Sequence, residues 1–295
     1  MKKTSHKKND LTLIILSYNT QFWLKKTLET LKEEYLDKTK YKIKTIVVDN
    51  GSTDGSIEMV KKSMKWAQLI EVGENLGFAG GNNVALKKVT SRYAMLLNSD
   101  LEFKLDSNLD ILIEYMDDHP EAGVITPRIE FINGSIDPGC HRGEPTLWAS
   151  LTYFAKLETI FPKSQLFGQY HQYYKDLESH HLIDACSGAA FLIRKTVMDQ
   201  VGYLDDRYFM YAEDLDWCRR VRDEGYQVVF HPEVKIIHHK YKSGIKSASK
   251  KIAKTTNRYF YDTMLQYYDK HYVDKYPKFI RTLIRYYITI KKGGI

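Results

Sequence analysis

Two acidic clusters and a pair of histidines are the residues best able to do chemistry. The run "AMLLNSD" at 94–100 is apolar enough to be a buried strand, yet it stops on Asn98, Ser99 and Asp100. A carboxylate where a strand leaves the core needs water, a partner or a metal ion. The plain alternative is a polar turn. The stretch "YFMYAEDLDWCRR" sets Glu213, Asp214 and Asp216 at the start of a helix, with Arg219 and Arg220 one turn on. Carboxylates there complement the helix dipole, and Asp216 with Arg220 has the i,i+4 spacing of a surface pair. Asp214 follows an aromatic stretch, which suits a cleft where a general base meets an acceptor hydroxyl. "KIIHHKYKSG" ends a strand with His238 and His239. A histidine at a strand end is ordinarily a polar boundary residue, and a neutral imidazole also suits Mn²⁺ beside a carboxylate.

The elements that must carry these groups are legible as an alternation. "LTLIILSY", "IKTIVVD", "AQLIEV", "RYAMLLN" and "AGVITP" read as strands; "QFWLKKTLETLKEEY", "TDGSIEMVKKSM", "GGNNVALKKV" and "SNLDILIEYMDDHP" read as helices between them. The alternation predicts parallel strands joined by crossover helices, an α/β sheet. Ligands of such sheets bind outside the carboxyl ends of the strands. Ser17, Tyr18 and Asn19, then Asp49 and Asn50, Asn75 and Gly77, and Asn98 to Asp100 all fall at those ends. Further on, "DACSGAAFLIRKTVMDQVG" reads as strand then helix, "YAEDLDWCRRVRDEGY" as a helix, and "QVVFHPEVKIIHH" as two short strands split at Pro232.

Two strand ends suggest a nucleotide. In "VVDNGSTDGS", Asp49 and Asn50 offer acceptor and donor groups to a nucleobase edge before a helix that Ser52, Thr53 or Asp54 would cap. In "ENLGFAGGNN", a helix opening on glycines presents free amides suited to phosphate. Its glycines, Gly77, Gly80 and Gly81, do not match the G-x-G-x-x-G dinucleotide fingerprint. Asp100, at the same edge, is placed for a divalent cation that neutralises a diphosphate leaving group.

Composition narrows the class. The chain has 295 residues, 43% hydrophobic and 27% charged, which suits a folded protein. Three widely spaced cysteines without a CxxC pair argue against a disulfide framework or zinc cage. No stretch approaches 18 apolar residues, and "MKKTSHKKND" lacks the apolar core of a signal peptide, so a cytoplasmic protein is expected. The net charge of +7 belongs to the tail: residues 240–295 hold 14 Lys and Arg against three Asp, or +11, leaving −4 for the rest. In "PKFIRTLIRYYITIKK", cations lie beside apolar and aromatic residues, as in a helix at a membrane interface or one packed on the body. No nucleic-acid reading motif accompanies the charge, so no nucleic-acid partner is expected.

Taken in order, "ILSYN", "VVDNGSTDGS", "ENLGFAGGNN", "LLNSD", "GYLDDRYFMYAEDLDWCRR" and "IIHHKYKSG" resemble a family 2 glycosyltransferase of the GT-A fold, in the rhamnosyltransferase and galactofuranosyltransferase branch. The resemblance implies a mixed sheet flanked by helices. It spans about residues 11–245, the expected catalytic domain; within it 134–182, where Gly, Pro, aromatics and His mix without clear period, reads as an acceptor-side insertion or long loops, and the chain adds a basic extension at 1–10 and a helical basic extension at 246–295. The resemblance further implies inverting transfer from a nucleoside diphosphate sugar, dTDP- or UDP-linked, with Mg²⁺ or Mn²⁺ on the diphosphate. The acceptor would be a hydroxyl of a cell-surface glycan or lipid-linked saccharide, met at the inner face of the membrane.

By the same matching, Asp100 and His238 carry over as metal ligands, His238 lying five residues before Ser243, with His239 as fallback. Asp214 carries over as catalytic base. Ser17, Tyr18, Asn19, Asp49, Asn50, Asp54, Asn75, Gly77, Gly81, Asn83, Asn98 and Ser99 would hold the nucleotide, and Ser187, Gly188, Glu213 and Arg220 would lie near donor or acceptor sugar. Asn98 stands where the family's metal motif has its first Asp. Two other readings remain: a nucleotidyltransferase, which would want a Gly-rich, basic phosphate loop where this chain has "SYNTQFW", and a silent nucleotide-binding or membrane scaffold.

Overall fold

Apart from the edge strand at 68–71, the apolar runs of the first half become strands buried on both faces, as parallel strands covered by helices must be. In the computed structural model, which describes residues 9–239 and 250–291, β1 (Leu11–Ser17) lies between β2 (Ile43–Asp49) and β4 (Tyr93–Asn98), parallel to both. The strand β3 (Gln68–Glu71) adds to β2, also in parallel. Helices α1 (Gln21–Leu31), α2 (Ser56–Ser63) and α3 (Gly77–Leu86) make the crossovers. In α1, Leu24, Leu28 and Leu31 recur at helical spacing and are fully buried.

Beyond β4 the sheet becomes mixed, as the resemblance implies. The short strand β5 (Leu101–Glu102) follows at once, then α4 (Asp110–Asp118) and β6 (Ala122–Glu130). The strand β8 (Ala190–Arg194) enters between β4 and β6, antiparallel to both. Apolar period specifies burial and is silent on direction, so this reversal was not readable from β8 itself. The strand β9 (Gln227–His238) runs parallel to β6 and is one continuous strand, where two split at Pro232 were expected. Its register slips between the His231 and Lys235 pairings, so Pro232, which has no N–H to give, sits in a bulge. On its other side β9 pairs antiparallel with β7 (His181–Ile183) and, near its end, with β5.

The segment 134–182 carries α5 (Leu147–Phe154) and the single turn α6 (Leu157–Ile160) amid irregular chain. Helices α7 (Lys195–Val201) and α8 (Glu213–Asp223) follow β8. The basic tail forms α9 (Lys250–His271) and α10 (Lys278–Lys291). Tyr267, Tyr268, Tyr272 and Ile288 are buried against the body. On another face of α10, Phe279, Leu283, Tyr286 and Ile290 form an exposed apolar stripe at i, i+4, i+7 and i+11. Among the described residues, no helix is long and apolar enough to cross a membrane. The first eight residues and Ser243 lie outside the described part.

Candidate active site

The carboxyl ends of β1 to β4 form one polar edge. The Asn19 backbone takes the left-handed conformation, φ 53°, and its Oδ1 accepts the Thr53 N–H at 2.8 Å while its own N–H donates to Ser52 Oγ at 2.9 Å. Asp54 accepts the Gln21 N–H at 2.8 Å and the Ser56 hydroxyl at 2.5 Å, tying the start of α1 to α2. Asn19 and Asp54 therefore stitch two loops together. The Thr20 hydroxyl bridges Ser17 Oγ at 3.0 Å and Ser99 Oγ at 2.9 Å, a link that no motif announced. Tyr18 is 46% exposed.

Asp49 spends one oxygen on the Gly51 and Ser52 N–H groups, at 3.1 and 2.8 Å. Its other oxygen is buried with no hydrogen-bond partner among the described residues. Buried acceptors are rarely left so, and this one suits a donor on a ligand. Asn50 donates to Asn75 Oδ1 and Gly77 O, each at 3.0 Å, and so holds the glycine loop. Gly77 has φ +75°, and a Cβ on it would lie 2.3 Å from Phe209 O, so glycine is required there. Gly81 packs on Leu16 and Asn50. Asn83 exchanges hydrogen bonds with the Leu204 backbone, at 2.8 and 3.2 Å, which makes it a strut between α3 and the loop before α8.

Asp100 and His238 meet because β5 folds back beside the end of β9, pairing Leu101 with His238. His238 Nε2 lies 3.1 Å from Asp100 Oδ1 and 3.4 Å from Asn98 Nδ2. Its Nδ1 lies 2.8 Å from Asp137 Oδ2. Asp137, unmarked in the sequence reading, comes from the irregular segment, where it also accepts the Gly139 N–H at 3.0 Å. Burial works against a charged His238, but its hydrogen bonds with Asp100 and Asp137 outweigh that and raise it to about 9. His239 turns to Glu102 at 2.6 Å and stacks on Trp23, so the two adjacent histidines serve different places.

Among the described residues, no three His, Cys, Asp or Glu side chains form a metal cage. A cation that takes most of its ligands from diphosphate and water needs fewer. Asp100 and His238 would fit that demand once a cation displaces the His238 Nε2 proton, a carboxylate and an imidazole side by side, the imidazole oriented through its second nitrogen by Asp137.

Asp214 opens α8 after two successive left-handed residues, Tyr211 at φ 72° and Ala212 at φ 65°. Its Oδ2 accepts from Arg142 Nη2 at 2.7 Å and the Gly188 N–H at 3.2 Å, and its Oδ1 from the Leu215 N–H at 2.7 Å. Burial opposes the Arg142 charge, but the Asp214 carboxylate outweighs it and holds the guanidinium above its ordinary value. Arg142 is a second residue that sequence reasoning missed; it too lies in the segment without period. Gly188 has Phe78 over it, and Gly139 packs on Ser187, whose Oγ is buried without a partner among the described residues. His238, Asp137, Gly139, Ser187, Gly188 and Asp214 are thus linked through successive contacts.

The Arg220 guanidinium is committed elsewhere, to Asp216 at 2.8 Å and the Val201 and Tyr203 carbonyls at 2.5 and 2.8 Å. These contacts make Arg220 a brace between α8 and the chain before it. The fully buried Asp216 carboxylate also pairs with Lys270 at 2.6 Å and His271 at 2.8 Å.

Glu213 is buried, and burial together with the neighbouring Asp214 charge pushes its carboxyl well above the usual range. In the unfolded chain that carboxyl ionises near 4.5, so above this pH the native state keeps a proton that the unfolded state has lost. Stability then falls as pH rises towards the folded value. Glu213→Gln, neutral at every pH, is expected to raise Tm at pH 7 relative to the wild type and to narrow that gain at pH 4. Thermal melts at both pH values test this; an equal shift at both would show that Glu213 holds no extra proton in the native state.

Comparison with known proteins shows the family and the fold. Residues 12–202 match the family described as "Glycosyl transferase family 2". The N-acetylglucosaminyl-diphospho-decaprenol L-rhamnosyltransferase of Mycobacterium tuberculosis is 28% identical over 214 residues, 68% of each chain. Rhamnosyltransferase WbbL of Escherichia coli is 28% identical over 260 residues, 84% of this chain and 91% of that one. Among solved structures, mannosyltransferase PcManGT from Pyrobaculum calidifontis, in complex with GDP-Man and Mn²⁺, superposes with TM-score 0.60 at 16% identity, covering 96% of this chain and 70% of that one. S. aureus TarS 1-349 in complex with UDP gives 0.52 at 17% identity, covering 87% and 65%. The α/β fold is that of the GT-A glycosyltransferases. The chain belongs to glycosyl transferase family 2 and is a glycosyltransferase.

Proposed function

We propose that the protein transfers a sugar, rhamnose from dTDP-rhamnose in the first instance, to a hydroxyl of a cell-surface glycan or lipid-linked saccharide, with inversion and with Mg²⁺ or Mn²⁺. The observation that carries this reading is the meeting of Asp100 with His238 on the same sheet edge that leads, through Ser187 and Gly188, to Asp214. The rhamnosyltransferase names of two relatives support the choice of sugar.

In this reading Asp49, with its unpartnered oxygen, and the exposed Tyr18 ring receive the nucleobase, while the glycine loop held by Asn50 and Asn75 receives ribose and phosphate. Asp100 and His238 hold the cation, which when bound supplies positive charge to the departing diphosphate. Asp214 accepts the proton of the acceptor hydroxyl as that oxygen attacks the anomeric carbon from the face opposite the leaving group. One displacement inverts the centre. Gly188 and Arg142 hold the carboxylate in place, and a carboxylate with about four acceptor sites retains room for the hydroxyl. The exposed stripe of α10, with Lys278, Arg281, Arg285 and Lys291 on the same helix and no acidic residue, supports peripheral attachment at the inner membrane face.

Calorimetric titration of dTDP, UDP and GDP, each with and without Mn²⁺, tests the donor end. One nucleotide is expected to bind in a Mn²⁺-dependent manner, and Asp100→Ala to weaken that binding by at least roughly tenfold. Binding that ignores both metal and Asp100 would return Asp100 to the role of a turn residue.

A further inference from the structure

A cavity of about 520 Å³ lies among α5, the start of α8, and helices α9 and α10. That volume is within the range of small-molecule sites. Arg142 and Asp214 contribute to one wall and are its only charged lining side chains among the described residues. The rest is mostly hydrocarbon and ring surface, from Tyr153 and Phe154 of α5, Phe260 of α9, and Leu283 and Tyr287 of α10, together with Ser150, Thr263 and Tyr268, whose buried hydroxyl has no partner among the described residues. Tyr267 and Tyr272, which also line it, spend their hydroxyls on Glu144 at 2.8 and 2.6 Å and leave ring surface to the cavity.

The cavity also reaches exposed apolar surface. Leu151 and Leu283 both line it and are each 58% exposed. Leu283 belongs to the apolar stripe of α10, and Leu151 lies among the exposed Trp148, Ile160, Phe161 and Leu166 of the irregular segment. Exposed apolar side chains at the rim of a cavity mark a binding face, and here that cavity includes the candidate base. A free saccharide would need many polar partners, whereas a hydrocarbon chain needs none.

We propose that this cavity is the subsite for the hydrocarbon tail of a lipid acceptor, which enters between Leu151 and Leu283 and presents its head-group hydroxyl to Asp214. The proposal rests on the transferase reading and deepens it by assigning the acceptor's tail a place made by the insertion and the C-terminal helices together. Chain length in the acceptor then contributes binding through burial against Phe154, Phe260 and Tyr287.

The test uses the full chain and a diazirine-tagged farnesyl diphosphate, irradiated and mapped by peptide mass spectrometry. Label is expected on peptides containing Phe154, Phe260 and Tyr287, and Leu151→Arg or Leu283→Arg is expected to reduce it at least tenfold. Both positions are exposed, so the variants should fold. Leu105→Arg, a substitution at an exposed apolar residue in the loop after β5, serves as control and leaves the pattern unchanged. Label spread evenly over the surface, or indifferent to both mouth substitutions, would overturn the subsite. So would photolabelled links between two copies of the chain at this face, since a second copy would then be its occupant. Nucleoside diphosphate binding, measured separately on the wild type, keeps the two readings apart: cavity labelling without nucleotide binding preserves the subsite and removes the proposed donor and cation site.

Discussion

Asp214→Asn is expected to lower the turnover of sugar transfer by about 10²- to 10⁴-fold, the contribution typical of a positioned general base. Nucleoside diphosphate affinity should be unchanged. The substitution keeps the shape of the side chain and an oxygen for the Gly188 N–H, while removing the charge that pairs with Arg142 and the capacity to take a proton from the acceptor. Steady-state transfer assays and calorimetry on the same preparation separate the two effects. Near-normal transfer with intact donor binding would remove Asp214 from the chemistry and leave it as the anchor of Arg142. A thermal melt belongs with the assay, because a buried guanidinium deprived of its carboxylate destabilises on its own account.

The second large effect concerns stability. Glu144 accepts from Arg219 at 3.1 Å, from Arg222, and from the hydroxyls of Tyr267 and Tyr272, so one carboxylate joins the irregular segment to α8 and to the tail. Glu144→Ala leaves two mostly buried guanidinium groups and two buried phenols short of a partner. The expected cost is about 3–5 kcal/mol, which lowers Tm by on the order of 10 °C. Because Glu144 holds α9 in place, the same variant should be cut sooner by protease between α8 and α10. An unchanged melt and an unchanged digestion pattern would mean that α9 is held by its other contacts alone, among them Lys270 and His271 on Asp216.

How far these features were legible differs by element for physical reasons. Strands β1, β2 and β4 are written in the sequence because a strand covered on both faces has to be apolar throughout. Their polar ends were equally readable, since Asp49, Asn50 and Asp100 interrupt apolar runs. The two-residue β5 carries too little pattern to announce itself, yet its pairing with β9 brings His238 to Asp100. Asp137 and Arg142 lie in a segment without period, and only the folded chain shows that they hydrogen-bond His238 and Asp214. The sequence hint for Asp137 was the "DPG" run, a turn former whose side chain commonly accepts a backbone N–H two residues on. For Arg142 there was no local hint. The tail read as helices that either pack or meet a membrane; the structure gives it both a buried face, with Tyr268 and Ile288, and an exposed apolar one.

The left-handed pair Tyr211 and Ala212 bears on how the two ends of the site are held relative to each other. Each such residue costs about 1–2 kcal/mol outside glycine, so the chain adopts this bend only where its surroundings compel it. Just before the bend, the Phe209 carbonyl accepts the Phe78 N–H at 2.8 Å, at the mouth of the glycine loop; just after it, Asp214 begins its contacts with Gly188 and Arg142. A segment already driven to the edge of its allowed conformations has no slack with which to absorb a displacement. The glycine loop, proposed to meet the donor, and the Asp214 carboxylate, proposed to meet the acceptor, are therefore gauged against one another by a stiff spacer of four residues, Met210 to Glu213. Their separation is fixed by covalent geometry and two hydrogen-bonded ends, before either substrate arrives.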